Sequence, residues 1–167
     1  MSLSKRYFFL TAAFFLWLGA GPVWGADLAL DVSTAEGGTT IDFGTIKSLE
    51  SNGSLPSGMY QKEVRLVVTS TLKQRYVLSQ IVHTPPVGSR GEMFDLGLMS
   101  CYATLRQGEG ELRIAHPTPL STGEQEIFFS SGSGSMAEII LVYRIDMPPG
   151  NEAGVYNTSI TYKVSTL

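Results

Sequence analysis

The chain has 167 residues, with 12 basic and 15 acidic side chains, a formal net charge of −3 and one cysteine. This length fits a single domain, and the absence of a basic cluster excludes nucleic acid and anionic membrane surfaces as expected partners, because phosphates attract concentrated Lys and Arg. The single cysteine, Cys101, excludes an internal disulfide. Its apolar, strand-like surroundings predict a buried thiol instead of a reactive one.

The N-terminal 25 residues are predicted to be a signal peptide. Two basic residues precede an apolar run from Tyr7 to Leu18, and Val23-Trp24-Gly25 places small or tolerated residues before a predicted cleavage after Gly25 or Ala26. This run is shorter than the roughly 20 residues that span a bilayer, and an uncleaved N-terminal anchor is the alternative. Residues 26–167 are therefore predicted to form one exported domain, found in the periplasm, at the cell surface or in a fimbrium, without a transmembrane anchor.

The first half of that domain is predicted to be β-structure broken by turns. Leu28, Leu30 and Val32 alternate with small or polar residues, which predicts a half-buried first strand. The strands at 59–70 and 76–82 are predicted to form an antiparallel hairpin, because turn-like residues lie between them. Further segments of this half are a strand at 40–46 and loops at 51–58 and 84–91.

The second half continues the same pattern. Residues 137–146 are apolar at both alternate sets of positions, which predicts a central strand. Residues 153–164 are predicted to be one closing strand whose buried face is formed by Tyr156, Thr158, Ile160, Tyr162 and Val164. Less regular strands are predicted at 98–105, 111–115 and 126–129, with a loop at 130–135 and a turn at 148–151.

These segments predict the fold class. About seven to nine short strands, with no helical periodicity after the signal peptide, indicate an all-β, immunoglobulin-like antiparallel β-sandwich. A small closed barrel is the alternative.

The sequence offers little for catalysis. Only His83 and His116 could act as near-neutral bases, and neither has the spacing of a local metal site. No serine lies in a nucleophile elbow. We therefore expect no enzyme activity, no catalytic residues and no cofactor or metal, although a nucleophile and a base brought together by folding remain an alternative.

Two segments carry a resemblance to known proteins. Ile41-Asp42-Phe43-Gly44-Thr45-Ile46 is similar to the end of an early strand in one family of exported proteins, and residues 149–164 are similar to the closing strand of the same family. Both resemble the spore coat protein U and fimbrial subunit family, whose members are pilin-like sandwiches of the chaperone-usher type.

The resemblance implies a structural or adhesive subunit of a pilus, fimbria or surface fibre. It implies other fibre subunits as partners, with a periplasmic chaperone and an outer-membrane usher, and assembly in which an incomplete sandwich accepts a strand from a neighbour. The residues expected to take part in this strand pairing are Leu28, Leu30, Val32, Tyr156, Ile160, Tyr162 and Val164.

Three interpretations of the first strand stay open at this point. The first strand could be a donor, an ordinary strand of a subunit that only receives a donor, or part of a complete domain. In the last case the protein could be a self-contained carbohydrate- or protein-binding module with Tyr60, Tyr76 and Tyr102 on an exposed face, unless these tyrosines serve in packing.

Overall fold

The computed structural model describes residues 28–35, 37–39, 41–43, 59–146 and 154–167. These residues form eleven strands and a short 3-10 helix at Leu96–Leu98. The strands, in chain order, are β1 (Leu28–Thr34), β2 (Met59–Ser70), β3 (Tyr76–Val82), β4 (Val87–Gly88), β5 (Met99–Gln107), β6 (Gly110–Leu112), β7 (Thr118–Pro119), β8 (Gly123–Ser130), β9 (Ala137–Asp146), β10 (Tyr156–Asn157) and β11 (Ile160–Thr166).

The strands build two main antiparallel sheets. One sheet has the order β1-β2-β9-β5-β7, the other has the order β11-β3-β8-β6, and β4 and β10 form a separate ribbon. The predicted all-β sandwich is confirmed, and the described strands do not close into a barrel. No helix in the described ranges has the length and apolar character to cross a membrane.

Alternating apolar residues explain why the two sheets pack together. In β2, Val64, Leu66 and Val68 are fully buried, and across the core Tyr76 and Leu78 of β3 are fully buried as well. Removing such surfaces from water is the main favourable term of folding. The core therefore lies between β2 with its neighbours in one sheet and β3 with its neighbours in the other.

Strand β9 has the central position that the sequence predicts. It spans the predicted residues 137–146 and pairs with β2 on one side and β5 on the other. Its core-facing Leu141 is fully buried, and Val142, which points to the opposite face, is only 4% exposed. The outer face is covered only in part, because Ile140 and Arg144, on the same face as Val142, are half-buried.

The predicted hairpin between β2 and β3 is wrong. These strands do not pair with each other: β2 pairs with β1 and β9, and β3 pairs with β11 and β8. The chain crosses to the opposite sheet between them, at a loop in which Lys73 takes a positive φ of 51°. Turn-forming residues indicate that the chain reverses, but they do not determine to which sheet it returns, and here the two apolar rows meet across the core.

The predicted closing strand is divided into β10 and β11. The side chain of Thr158 donates a hydrogen bond to the carbonyl of Thr84 at 2.5 Å, between the two pieces. From Ile160 onward the predicted alternation holds, since Ile160 and Tyr162 are buried and Lys163 is exposed. The signal peptide and the predicted loop at 51–58 and turn at 148–151 lie outside the described residues, as does most of the predicted strand at 40–46.

Candidate functional site: the seam between β1 and β11

One side of the sandwich presents two long strand edges. Strand β1 ends one sheet and β11 ends the other, and in the described part of the chain each pairs on one side only. The two strands approach each other on the same side of the molecule. We call this side the seam and define it by Leu28–Thr34 and Ile160–Thr166. Each edge is seven residues long.

The opposite side of the sandwich is different. There the sheets end with β6 and β7, which have three and two residues, and β7 contains Pro119, which cannot donate a backbone hydrogen bond. Short edge strands and proline are common means of blocking unwanted strand pairing. The seam is therefore the side on which both sheets end with long strands in the described residues.

The hydrogen bonds at both ends of β11 show which of its backbone groups point away from β3. The carbonyl of Ser159 accepts from the His83 amide at 3.4 Å, and the Leu167 amide donates to the Arg75 carbonyl at 2.9 Å. Bonded and non-bonded pairs alternate along an antiparallel ladder. Odd-numbered residues of β11 therefore bond to β3, and the amides and carbonyls directed away from β3 are those of Ile160, Tyr162, Val164 and Thr166.

The outward-facing residues of β1 follow from its hydrogen bonds in the same way, but one end of this edge is closed. The Thr34 amide donates to the Gly38 carbonyl at 2.9 Å, and the Thr34 carbonyl accepts from the Gly37 amide at 3.0 Å. Thr34 therefore faces away from β2, and by alternation so do Leu28, Leu30 and Val32. Gly37 and Gly38 both have φ of 81°, which suits glycine and lets the chain turn back over this end of the edge. Of the two edges, β11 is the more open among the residues that the structure describes.

The seam is lined by apolar side chains. Val32, Ile160 and Tyr162 are buried, whereas Leu28, Leu30 and Val164 are only half-buried, although they pack against the core. The central strand β2 has no such partial exposure at Val64, Leu66 and Val68. An added strand with every second side chain pointing inward would cover the half-buried residues of the seam.

A buried polar network connects the seam to the middle of the core. The Tyr143 hydroxyl donates to Gln80 Oε1 at 2.5 Å, so the Tyr162 hydroxyl, 2.7 Å away, must donate to the Tyr143 oxygen. Gln80 Nε2 in turn donates to Gln125 Oε1 at 2.7 Å and to Cys101 Sγ at 3.1 Å. The network joins three strands of one sheet to two strands of the other.

Burial controls the ionisation of this network. It raises the pKa of the Tyr143 and Tyr162 hydroxyls, so both remain protonated donors. It also raises the pKa of the Cys101 thiol to about 11, with a partly opposing hydrogen bond from Gln80. The predicted buried cysteine is confirmed, and its thiol has the properties of an unreactive group.

Sequence reasoning missed Gln80 and Tyr143. Gln80 occupies a core-facing position of β3, between Leu78 and Val82. A polar residue in this otherwise apolar row is the sequence feature that could have indicated a buried hydrogen-bond network. A fully buried glutamine needs partners for its amide, and the fold supplies them from strands distant in sequence.

The seam brings together six of the seven residues expected to take part in strand pairing. Leu28, Leu30 and Val32 lie on β1, and Ile160, Tyr162 and Val164 lie on β11. Tyr156 lies elsewhere, in the ribbon, where its ring contacts Phe94 edge-on with 5.2 Å between ring centroids.

The two histidines and three tyrosines that the sequence offered as candidate bases or binding residues do not form a common site in the described residues. His83 is exposed, with Nε2 2.8 Å from Thr161 Oγ1, and His116 is also exposed. Tyr76 is fully buried, and Tyr60 and Tyr102 are half-buried. Across the described ranges, no three His, Cys, Asp or Glu residues are grouped as metal ligands would be.

Comparison with known proteins gives no family for this chain. No protein-family profile matches the sequence, and no curated protein matches it significantly.

Proposed function

We propose that this protein is an exported structural or adhesive subunit of a pilus, fimbria or other surface fibre, and that its β11 edge accepts an extended strand from a neighbouring subunit. The observation that carries the proposal is the seven-residue edge of β11, with four outward-directed residues beside an apolar lining. Strand addition at such an edge gains affinity from main-chain hydrogen bonds and specificity from alternate side chains.

The contrast between the two sides of the sandwich supports this proposal. Exposed long edges promote aggregation, and proteins that do not use them usually shorten or cover them. The side with β6 and β7 is shortened in this way, whereas the seam keeps two full-length strands in the described residues. Lys163 is the one charge on the β11 edge, and it pairs with Glu124 at 3.3 Å on the outer face.

The expected export route fits the same function. The N-terminal sequence has the pattern of a signal peptide, and the chain has one cysteine, so no internal disulfide could complete the domain. A sandwich with an open edge needs protection before assembly. A periplasmic chaperone that holds the seam, and an outer-membrane usher that releases it to the next subunit, are the partners that the proposal implies.

Residue-resolved hydrogen exchange tests the proposal. In the purified protein, the amides of Thr161, Lys163 and Ser165 should exchange slowly, because they bond to β3, and those of Tyr162 and Val164 should exchange fast. Addition of an extended peptide that alternates valine and threonine should slow Tyr162 and Val164 selectively. A peptide of the same composition in a non-alternating order is the control.

Two outcomes of the exchange experiment would reject the proposal. If Tyr162 and Val164 are already protected in the isolated protein, or if the alternating peptide protects them no better than its control, strand addition at β11 is rejected. A cooperative monomer with a protected edge would favour the self-contained binding module.

A further inference from the structure

Each sheet contributes one row of polar side chains to the core. Tyr162, Gln80 and Gln125 are direct neighbours across β11, β3 and β8, and Lys62, Tyr143 and Cys101 are direct neighbours across β2, β9 and β5. We call these six residues the polar layer. The neighbouring core-facing pairs of β11 and β3 are Ile160–Val82 and Val164–Leu78, which are apolar. Among these three levels of β11 and β3, only the middle one carries side chains that can hydrogen-bond.

Lys62 lies at the end of the polar layer nearest the seam. It is half-buried and belongs to the face of β2 that carries the buried Val64 and Leu66, so its side chain starts toward the core. In the described residues, β1 pairs with β2 from Val64 to Ser70, and this pairing does not extend to Lys62. Among the paired strands that the structure describes, β2 therefore borders the seam at this level.

The two rows of the polar layer are offset from each other. The Tyr143 hydroxyl contacts the Tyr162 hydroxyl at 2.7 Å and Gln80 Oε1 at 2.5 Å, so it faces the gap between these two residues. In the same way, Cys101 Sγ lies 3.1 Å from Gln80 Nε2 and 3.7 Å from Gln125 Oε1. Each of these residues in one sheet thus faces the gap between two residues of the row in the other sheet.

The same offset places Lys62 opposite an open position. Lys62 lies on β2, one strand nearer the seam than Tyr143 on β9, whereas Tyr162 already lies on the edge strand of its own sheet. Lys62 therefore faces the gap between Tyr162 and the next position outward in that row. A strand added to β11 would place one inward side chain at this position.

The groups around this position differ in hydrogen-bonding character. Tyr162 donates its hydroxyl proton to Tyr143, so its oxygen can accept a hydrogen bond but has no second proton to donate. Lys62 ends in an ammonium group, which has three donors and no acceptor. A carboxylate could satisfy only the lysine, whereas an amide has a donor and an acceptor on separate atoms. Gln80 uses its own amide in this way, because it accepts from Tyr143 and donates to Cys101.

We propose that the strand added at β11 carries a glutamine or asparagine beside Tyr162 and apolar side chains at its other inward positions. The amide nitrogen donates to the Tyr162 oxygen, and the amide carbonyl accepts from the Lys62 ammonium. The inference rests on the proposed function and names the chemistry of the partner strand. It also fixes the register of the added strand, because a slip of two residues would bury the amide beside the apolar pairs, without partners.

The first test determines the register of bound peptides. The alternating valine–threonine peptide is made with glutamine in place of its central valine, and again with the glutamine moved by two residues. A nitroxide at one end of each peptide broadens the NMR signals of nearby amides. When the glutamine moves by two residues, the broadened region should move by two residues along β11, because the amide stays beside Tyr162. A broadened region that keeps its place would overturn the inference.

The second test measures how far the glutamine depends on its two partners. A peptide with methionine at the same position has a side chain of similar length and no amide. The affinity of the glutamine peptide relative to the methionine peptide is measured by titration for the wild type, Tyr162→Phe and Lys62→Met. This ratio should fall about tenfold in each variant, because each leaves part of a buried amide unsatisfied.

Lys163→Met is the matched control for the second test. Lys163 is exposed and pairs with Glu124 on the outer face of the sheet, so its replacement should leave the affinity ratio at the wild-type value. Thermal unfolding checks that each variant is folded. An unchanged ratio in Tyr162→Phe or Lys62→Met, or an equal fall in Lys163→Met, would overturn the inference.

Failure of this inference is distinguishable from failure of the proposed function. Exchange of the Tyr162 and Val164 amides is measured in parallel with the valine–threonine peptide. If that peptide protects them while the glutamine changes neither the register nor the affinity ratio, the amide is rejected and strand addition stands. If none of the peptides protects these amides, both proposals are rejected.

Discussion

The hydroxyl of Tyr162 on the edge strand β11 donates to the hydroxyl of Tyr143 on the central strand β9, at 2.7 Å across the core. The two residues belong to different sheets. Tyr162 also lines the seam, so this contact ties the strand that would receive a neighbour to the central strand of the opposite sheet. The edge is thus held in position without being paired on its outer side in the described residues.

The two tyrosines should differ in their contribution to stability. Tyr143→Phe leaves Gln80 Oε1 without its donor and should cost about 1 to 3 kcal/mol, because an unsatisfied buried acceptor bears the full desolvation penalty. Tyr162→Phe removes only the donor to a hydroxyl oxygen and should cost about 0.5 to 1.5 kcal/mol. Urea unfolding of both variants measures the difference. Equal losses, or a larger loss for Tyr162→Phe, would contradict the direction of the hydrogen bonds.

Alkaline pH should destabilise the protein through Cys101. Burial raises the pKa of its thiol from 9.0 to about 11 in the folded state, so ionisation favours the unfolded chain. The stabilisation is complete below pH 9 and is lost as the pH rises to 11, by about 2 to 3 kcal/mol. Cys101→Ala should remove this part of the pH dependence. Urea midpoints of both proteins at pH 8, 9, 10 and 11 provide the measurement, and parallel curves would refute the assignment.

Gly134 should resist substitution, whereas Gly132 should tolerate it. Gly134 has φ of 55°, and a Cβ at this position would overlap the carbonyl oxygen of Gln74. Gly134→Ala should therefore cost at least about 1 to 2 kcal/mol from the left-handed backbone alone. Gly132 has open space around its Cβ position, so Gly132→Ala should stay within about 0.5 kcal/mol of the wild type. Thermal unfolding compares them, and similar losses would contradict the close approach of the two loops.

Proline substitutions should distinguish the amides of β11 that face the seam from those that bond to β3. Val164→Pro removes an amide directed toward the seam and should weaken uptake of the alternating peptide about tenfold while retaining the bonds to β3. Ser165→Pro removes an amide bonded to β3 and should destabilise the fold by about 1 to 3 kcal/mol. Val164→Ala controls for the lost side chain. Equal destabilisation by both prolines would show that the assumed alternation of hydrogen bonds is wrong.

Local pattern predicted much of the strand content. Alternation located β1 and the buried face of Ile160 and Tyr162, and the doubly apolar run at 137–146 located the central strand. These signals are local because side chains alternate with a period of two whichever strand lies alongside.

The local sequence pattern could not predict which strands pair with each other. The β2 and β3 segments each have the right periodicity, but the choice between a hairpin and a crossing to the other sheet depends on contacts with β9 and β8, far along the chain. The same reason explains why Gln80 was missed, since its partners Tyr143 and Cys101 come from distant strands. The seam required both edges to be placed in space before it could be recognised.

The crossing between β2 and β3 also affects how fast the molecule can fold. Val64 of β2 pairs with Leu141 of β9, so this ladder joins two segments that lie far apart along the chain. Such distant pairings carry a large loop-closure entropy and place sandwiches among the slower two-state folders, in the range of milliseconds to seconds. Until the two sheets have packed together, the apolar side chains of Val64, Leu66 and Val68 stay accessible to solvent, where they favour aggregation.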